Sequence, residues 1–207
     1  MPIQNKADLK MYLAEDLRAN GVARWRFALR FRRPELHYQR LLRRVEYCQA
    51  SSGRPSRVLR FYLRFQLMRL SVRTGITIPP GVFGPGLSIA HYGSIVVHTR
   101  ARVGAYCRIN SATNIGMTSD GVPTLGDYVY IAPGAVIYGD ITIGDRVVIG
   151  ANAVVGRDVE SGVTVAGSPA RVISRRDSSS MMPEYVPIPR AAAVGLQPAS
   201  EVDRRDG

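Results

Sequence analysis

The sequence predicts a mostly β protein, a parallel coil with three flat faces, preceded by a basic α-helical domain. Three observations carry that expectation. Aliphatic residues recur every six positions through much of residues 97–155. A small or branched residue stands two positions before most of them, and a glycine or alanine often follows. Upstream of about residue 76 the texture differs, with apolar residues at helical spacing among many arginines.

Residues 1–75 are expected to form the helical domain. "LHYQRLLRRVEYCQ" spaces Leu36, Leu41, Leu42 and Val45 as one helix face, and "SRVLRFYLRFQLMRLSV" does the same with Val58, Phe61, Tyr62, Phe65, Met68 and Val72. "SSGRPS" between them reads as a break. This domain holds 17 Lys plus Arg against 5 Asp plus Glu, whereas residues 76–207 hold 11 of each. Such a field attracts phosphates, nucleic acid or an anionic membrane. No nucleic-acid-binding motif accompanies it. Arg outnumbers Lys 26 to 2, which points to coding bias rather than a binding surface. Neither nucleic acid nor a membrane is expected as a partner, and the block reads as a cap or an oligomerisation element.

Residues 76–175 are expected to form the coil. Val97, Val103, Ile109 and Ile115 are spaced by six, then Leu125, Ile131, Ile137, Ile143, Ile149 and Val155. Ala101, Cys107, Thr113, Val129, Ala135, Ile141, Val147 and Ala153 stand two residues earlier. Each unit is then one short strand and one turn. Its large aliphatic points into a narrow interior, where burial contributes about 1.5–3 kcal/mol. The following glycine or alanine is expected to let the backbone turn the corner. Cys107 falls inward and reads as a small buried hydrophobe. Residues 176–207, rich in Pro, Ser and Ala, are expected to be a flexible tail. The first thirty residues have no apolar core of secretory-signal length, and the two cysteines form no disulfide framework, so a cytoplasmic protein is expected.

The period breaks twice. Ile89 to Val97 is eight residues, and Ile115 to Leu125 is ten, through "GMTSDGVPT". Extra residues cannot enter a narrow core, so they protrude at corners, and loops on a rigid scaffold are where function concentrates. The first break carries His91 and Tyr92, the second Asp120 and Gly121. Both lie within about two turns and are expected to flank one cleft.

The stretches "GLSIAHYGSIVV", "RVGAYCRI", "PTLGDYVYIAPGAVIYGDITIGDRVVIGANAVV" and "VAGSPARVI" resemble the hexapeptide-repeat acyltransferases, which fold as left-handed parallel β-helices and work as trimers. Among these the chain is similar to the serine O-acetyltransferases, most of all the branch found among capsule and exopolysaccharide genes, over about residues 5–175. That resemblance implies transfer of acetyl from acetyl-CoA to L-serine, giving O-acetylserine and CoA. His91 occupies the position of the family's general base, a role suited to a group titrating near neutrality and worth about 10²–10⁴ in rate. Acetyl-CoA is implied to lie between subunits, along Gly116, Met117, Tyr130, Ala132, Pro133, Gly134, Gly150 and Ala151. Ala166 and Arg171, in "AGSPAR", are implied to meet the pantetheine end and a phosphate. A backbone N–H near Gly116 is implied to stabilise the oxyanion. Tyr92 and Asp120 are assigned to the acceptor side, with no metal expected.

The sequence also departs from the family. Ala90 and Ile76 stand where the well-studied serine acetyltransferases carry Asp, and Val122 precedes Pro123 where they carry His. Asp120 or Glu46 is left as a substitute carboxylate. The alternative acceptor is therefore a sugar or natural-product hydroxyl, and the remote alternative a non-catalytic scaffold. A carbonic anhydrase family shares the coil and needs three histidines converging from coil walls, whereas of this chain's His37, His91 and His98 the first lies in the helical block. A homotrimer or a dimer of trimers is expected. With the ending "DRRDG", no cysteine synthase complex is expected.

Overall fold

The computed structural model of the protein describes residues 3–50 and 57–188. Helix α1 (Lys6–Ala19) is set by a capping box. The Asn5 side chain accepts from the backbone N–H groups of Ala7 and Asp8, and the Asp8 carboxylate reaches back to the Asn5 N–H. A short α2 (Leu29–Arg32) leads to α3 (Pro34–Ala50), opened by a proline whose fixed φ suits a first helical turn. Helix α4 (Arg57–Thr74) ends at Gly75, which adopts a positive φ of 72°. The expected break at residues 51–56 lies outside the described residues.

The α3 face forms as expected, with Leu36, Leu41, Leu42 and Val45 buried. Helix α4 does not. Val58, Phe61, Tyr62, Phe65, Met68 and Val72 are all exposed, and Leu63 and Leu67 are buried instead. At 3.6 residues per turn the two sets lie on opposite sides of the helix, and only the Leu63–Leu67 side reaches the core.

The rest is a parallel solenoid of five turns and three faces. The first face stacks β1 (Ile76–Thr77), β3 (Ile95–Val97), β6 (Asn114–Gly116), β9 (Val136–Tyr138) and β12 (Val154–Val155). The second stacks β4 (Arg102–Val103), β7 (Thr124–Leu125) and β10 (Thr142–Ile143), with single bridges at Phe83 and Val159. The third stacks β2 (Ser88–Ile89), β5 (Arg108–Ile109), β8 (Tyr130–Ile131), β11 (Val148–Ile149) and β13 (Thr164–Ala166), closed by the antiparallel β14 (Arg171–Ser174). Like positions pair: Ile109 with Ile131, Ile131 with Ile149, Ile149 with Val165. All ten aliphatics of the repeat and their eight smaller partners are buried.

The corners are built differently from the expectation. Gly104, Gly126 and Gly144 follow the inward aliphatics, yet none has a positive φ. Their role is close stacking. A Cβ on Gly104 would lie 2.6 Å from the Gly126 carbonyl carbon and oxygen, and one on Gly144 2.6 Å from the Ser161 nitrogen. The left-handed residue comes two positions later, as Gly86, Tyr106, Tyr128, Arg146 and Gly162 at one corner and Ala112, Gly134 and Asn152 at another.

The helices are clamped onto the first turn by Arg43. Its buried guanidinium donates to Asp16 (2.9 Å), Glu46 (3.0 Å) and the carbonyl oxygens of Phe83 (2.9 Å) and Gly84 (2.6 Å). The Leu87 and Gly81 N–H groups donate to Asp16 (3.0 Å) and Glu46 (2.8 Å). The expected flexible tail is corrected for residues 176–188, which lie along the coil. Ser178, Met182 and Val186 are buried, and the Ser178 hydroxyl donates to the Tyr128 carbonyl oxygen at 2.6 Å. Apolar burial and carbonyl groups left free at the corners hold this segment, neither of which its composition displays. Residues 189–207 lie outside the described residues.

Candidate active site

The first period break sits at the corner between the third and first faces, where β2 passes to β3. Ala90 donates its N–H to Ile109 (3.0 Å), and Gly93 donates to the Thr74 carbonyl oxygen (2.8 Å), which pins the loop against the end of α4. The fit is tight: a Cβ on Gly75 would lie 2.9 Å from the Gly93 carbonyl. Between these anchors His91 and Tyr92 are exposed. The extra residues hold His91 outside the wall, as an accessible imidazole on a fixed backbone.

The same corner continues down the coil. Ala132, Pro133 and Gly134 occupy it in the third turn, Gly150 and Ala151 in the fourth, and Ala166 ends β13 in the fifth. Gly134 needs its positive φ of 76°, and a Cβ there would press on the Asn152 side chain. Tyr130 lies on β8, half-buried, one residue before the inward Ile131. Arg171 opens β14 with its guanidinium exposed apart from a 2.8 Å bond to the Ala170 carbonyl oxygen.

The second break is elsewhere. Gly116, Met117, Asp120 and Gly121 stand at the corner between the first and second faces, so a whole face separates them from His91 within one chain. Within a single chain the two breaks therefore do not flank one cleft, since they extend different corners. Asp120 accepts from the Ser119 hydroxyl at 3.2 Å. Glu46 is already bound to Arg43 and Gly81 and does not serve His91. Ile76 is fully buried against Ile95, so nothing acidic occupies that position. The His98 ring nitrogen Nδ1 accepts from the Arg100 N–H (3.2 Å) and braces a turn. His37 lies on α3, and among the described residues no three His, Cys, Asp or Glu side chains are grouped to hold a metal.

Sequence reasoning missed one concavity beside His91. Tyr92 forms a wall of a cleft of about 390 Å³ together with Arg30, His37, Gln66, Arg69 and Arg73. These residues come from α2, α3 and α4, and no local motif joins them.

The bacterial transferase hexapeptide (six repeats) family profile matches residues 123–157. A serine acetyltransferase of Synechococcus elongatus is 43% identical over 107 residues, 49% of this chain and 44% of that protein. The chain thus spans less than half the length of that relative. The crystal structure of serine acetyltransferase from Brucella abortus strain S19 superposes with a TM-score of 0.65 at 26% identity, over 82% of this chain and 68% of the other. This is a hexapeptide-repeat chain that resembles the serine O-acetyltransferases. Its solenoid matches their left-handed β-helix, helices included. A serine acetyltransferase solved in complex with CoA superposes with a TM-score of 0.63 at 26% identity, over 81% of this chain and 71% of that one. On this serine acetyltransferase-like scaffold, His91 is the exposed imidazole at the first period break.

Proposed function

We propose that the chain is an acetyl-CoA-dependent O-acetyltransferase of serine acetyltransferase type, with His91 as general base. The observation that carries this reading is His91 itself, exposed and held by main-chain anchors on a solenoid of this type. The acceptor hydroxyl is a poor nucleophile until its proton leaves. In this reading the imidazole takes that proton as the oxygen attacks the thioester carbonyl. The carbon–sulfur bond then breaks, and CoA leaves as the thiol once it has gained a proton. Ala132, Pro133, Gly134, Gly150, Ala151 and Ala166 would line one side of the acetyl-CoA groove. Gly116 and Met117 stand on another corner, so the reading needs two copies, the His91 corner of one facing the Gly116 corner of the next. A homotrimer satisfies this.

The test is thiol release from acetyl-CoA with L-serine and other hydroxyl compounds. His91→Ala is expected to lower kcat/KM by about 10²–10⁴ with the oligomer intact. Undiminished turnover in an intact His91→Ala oligomer removes the base from the reading. A second reading, a sugar or natural-product hydroxyl as acceptor, draws on Ala90, on the buried Ile76 and on Glu46 being taken by Arg43. Turnover with such a compound and none with serine would establish it.

A further inference from the structure

Beside His91 the helical domain presents an unneutralised cluster of cations. Arg30 comes from α2, and Arg69 and Arg73 from the last two turns of α4. All three line the cleft that Tyr92 and His37 also line, and no acidic residue contributes to its walls. Among the described residues none of the three makes an ion pair. Arg69 has an aromatic neighbour only, its guanidinium 5.9 Å from the centre of the Phe65 ring. Contrast Arg43, which is neutralised by two carboxylates and two carbonyl oxygens. Coding bias explains Arg in place of Lys. It does not bring three arginines from two helices to one concavity.

Of the three cleft arginines, Arg30 acts on His37, after the larger effect of burial. Burial first, then Arg30, Arg44 and Arg40, pushes its imidazole down to about 4. At the end of α4, whose free carbonyls would repel an anion, three are engaged. The Leu70 carbonyl oxygen accepts from the Thr74 hydroxyl, that of Ser71 from the Gly75 N–H, and that of Thr74 from Gly93. A concavity of about 390 Å³ suits a small molecule, at the lower end of the roughly 300–1,000 Å³ usual for ligand sites. Several guanidinium forks match a phosphate dianion better than a single carboxylate.

We propose that this cleft binds the phosphate group of a small phosphorylated hydroxyl compound, whose other end reaches the loop of His91. Tyr92 forms a cleft wall, and His91 is its chain neighbour, one Cα step or about 3.8 Å away. Gln66 supplies a neutral hydrogen-bonding group among the arginines. The inference deepens the transferase reading by giving the acceptor a charge, and it rests on that reading only for catalysis.

Three histidines in the chain make proton NMR of the imidazoles a direct readout. The full-length protein, at low ionic strength, is titrated with inorganic phosphate, glucose 1-phosphate and glucose. Phosphate is expected to shift the His37 resonances saturably, glucose 1-phosphate to shift those of both His37 and His91, and glucose to shift neither. Arg69→Gln and Arg73→Gln, both at exposed positions, are each expected to weaken the phosphate response by about tenfold without changing the unfolding transition. No saturable His37 response, or an equal response in the Gln variants, overturns the site. A glucose 1-phosphate response confined to His37 overturns the hydroxyl compound and leaves a free anion. Absence of thiol release while both histidines still respond overturns the transferase reading alone.

Discussion

Arg43 shows how one residue joins the two parts of the molecule. It is wholly buried, stacked 4.8 Å over the Tyr12 ring, and every direction of its guanidinium is occupied. Removing it strands the buried carboxylates of Asp16 and Glu46. Arg43→Ala is expected to cost about 3–5 kcal/mol, read as a lower urea midpoint, and Arg43→Lys to rescue little because the fork geometry is lost. An unchanged midpoint would show that the helices hold to the coil by apolar contact alone. His37 makes a second residue-scale prediction. Its folded-state value is lowered to about 4 from 6.5. Between those values the unfolded chain binds a proton that the folded chain does not, so stability rises with pH there and falls as pH drops. His37→Gln is expected to flatten the wild-type loss of stability between pH 6.5 and 4. Parallel pH profiles for the two proteins would refute it.

At the scale of an element, the corner is the informative unit. Gly126 has no room for a methyl: a Cβ there would lie 2.9 Å from the Gly144 carbonyl carbon and from the Asp145 nitrogen. Gly126→Ala is expected to destabilise by about 1–3 kcal/mol through overpacking of the stacked corner. Ala112 is the opposite case, since it holds φ at 60°. Ala112→Gly exchanges about 1–2 kcal/mol of left-handed strain for about 0.5–1 kcal/mol of chain entropy, so a small rise in unfolding temperature is expected. A fall would mean that the Ala112 methyl packs usefully. These corners explain what the sequence displays and what it hides. The inward aliphatics were legible because every unit must bury one, and that requirement repeats every six residues. The left-handed positions were not, because Tyr106, Tyr128 and Arg146 fill them with side chains that give no turn signal. His91 was legible because insertions interrupt the period. The arginine cleft was not, because its walls come from three helices and a loop distant in sequence. The apolar side of α4 was legible from its helical spacing, but that spacing does not say what covers it.

At the scale of the molecule, a solenoid passes stability only between adjacent turns, and residues 176–188 add a longer connection. The Arg176 carbonyl oxygen accepts from the Thr164 hydroxyl in the fifth turn (2.7 Å), and Asp177 lies 3.5 Å from the Arg146 guanidinium. Ser178 donates its N–H to the Arg146 carbonyl oxygen in the fourth turn (3.0 Å) and its hydroxyl to Tyr128 in the third. The Tyr128 hydroxyl in turn donates to the Pro187 carbonyl oxygen (3.0 Å). Tyr185 closes against Gly21, beyond α1, where a Cβ would lie 2.8 Å from its ring. The last coil turn, the middle of the coil and the helical domain are thereby linked outside the nearest-neighbour stack. A chain ending at Arg176 is compared with one ending at Ile188, so that the two differ only in this strap. Burial of Met182 and Val186 is worth about 1.5–3 kcal/mol each, less the entropy of ordering the segment, so a net loss of about 2–4 kcal/mol is expected. Calorimetry should also show a broader transition for the shorter chain, because its turns have lost their long-range coupling. Identical transitions would mean that the strap follows the coil without stabilising it.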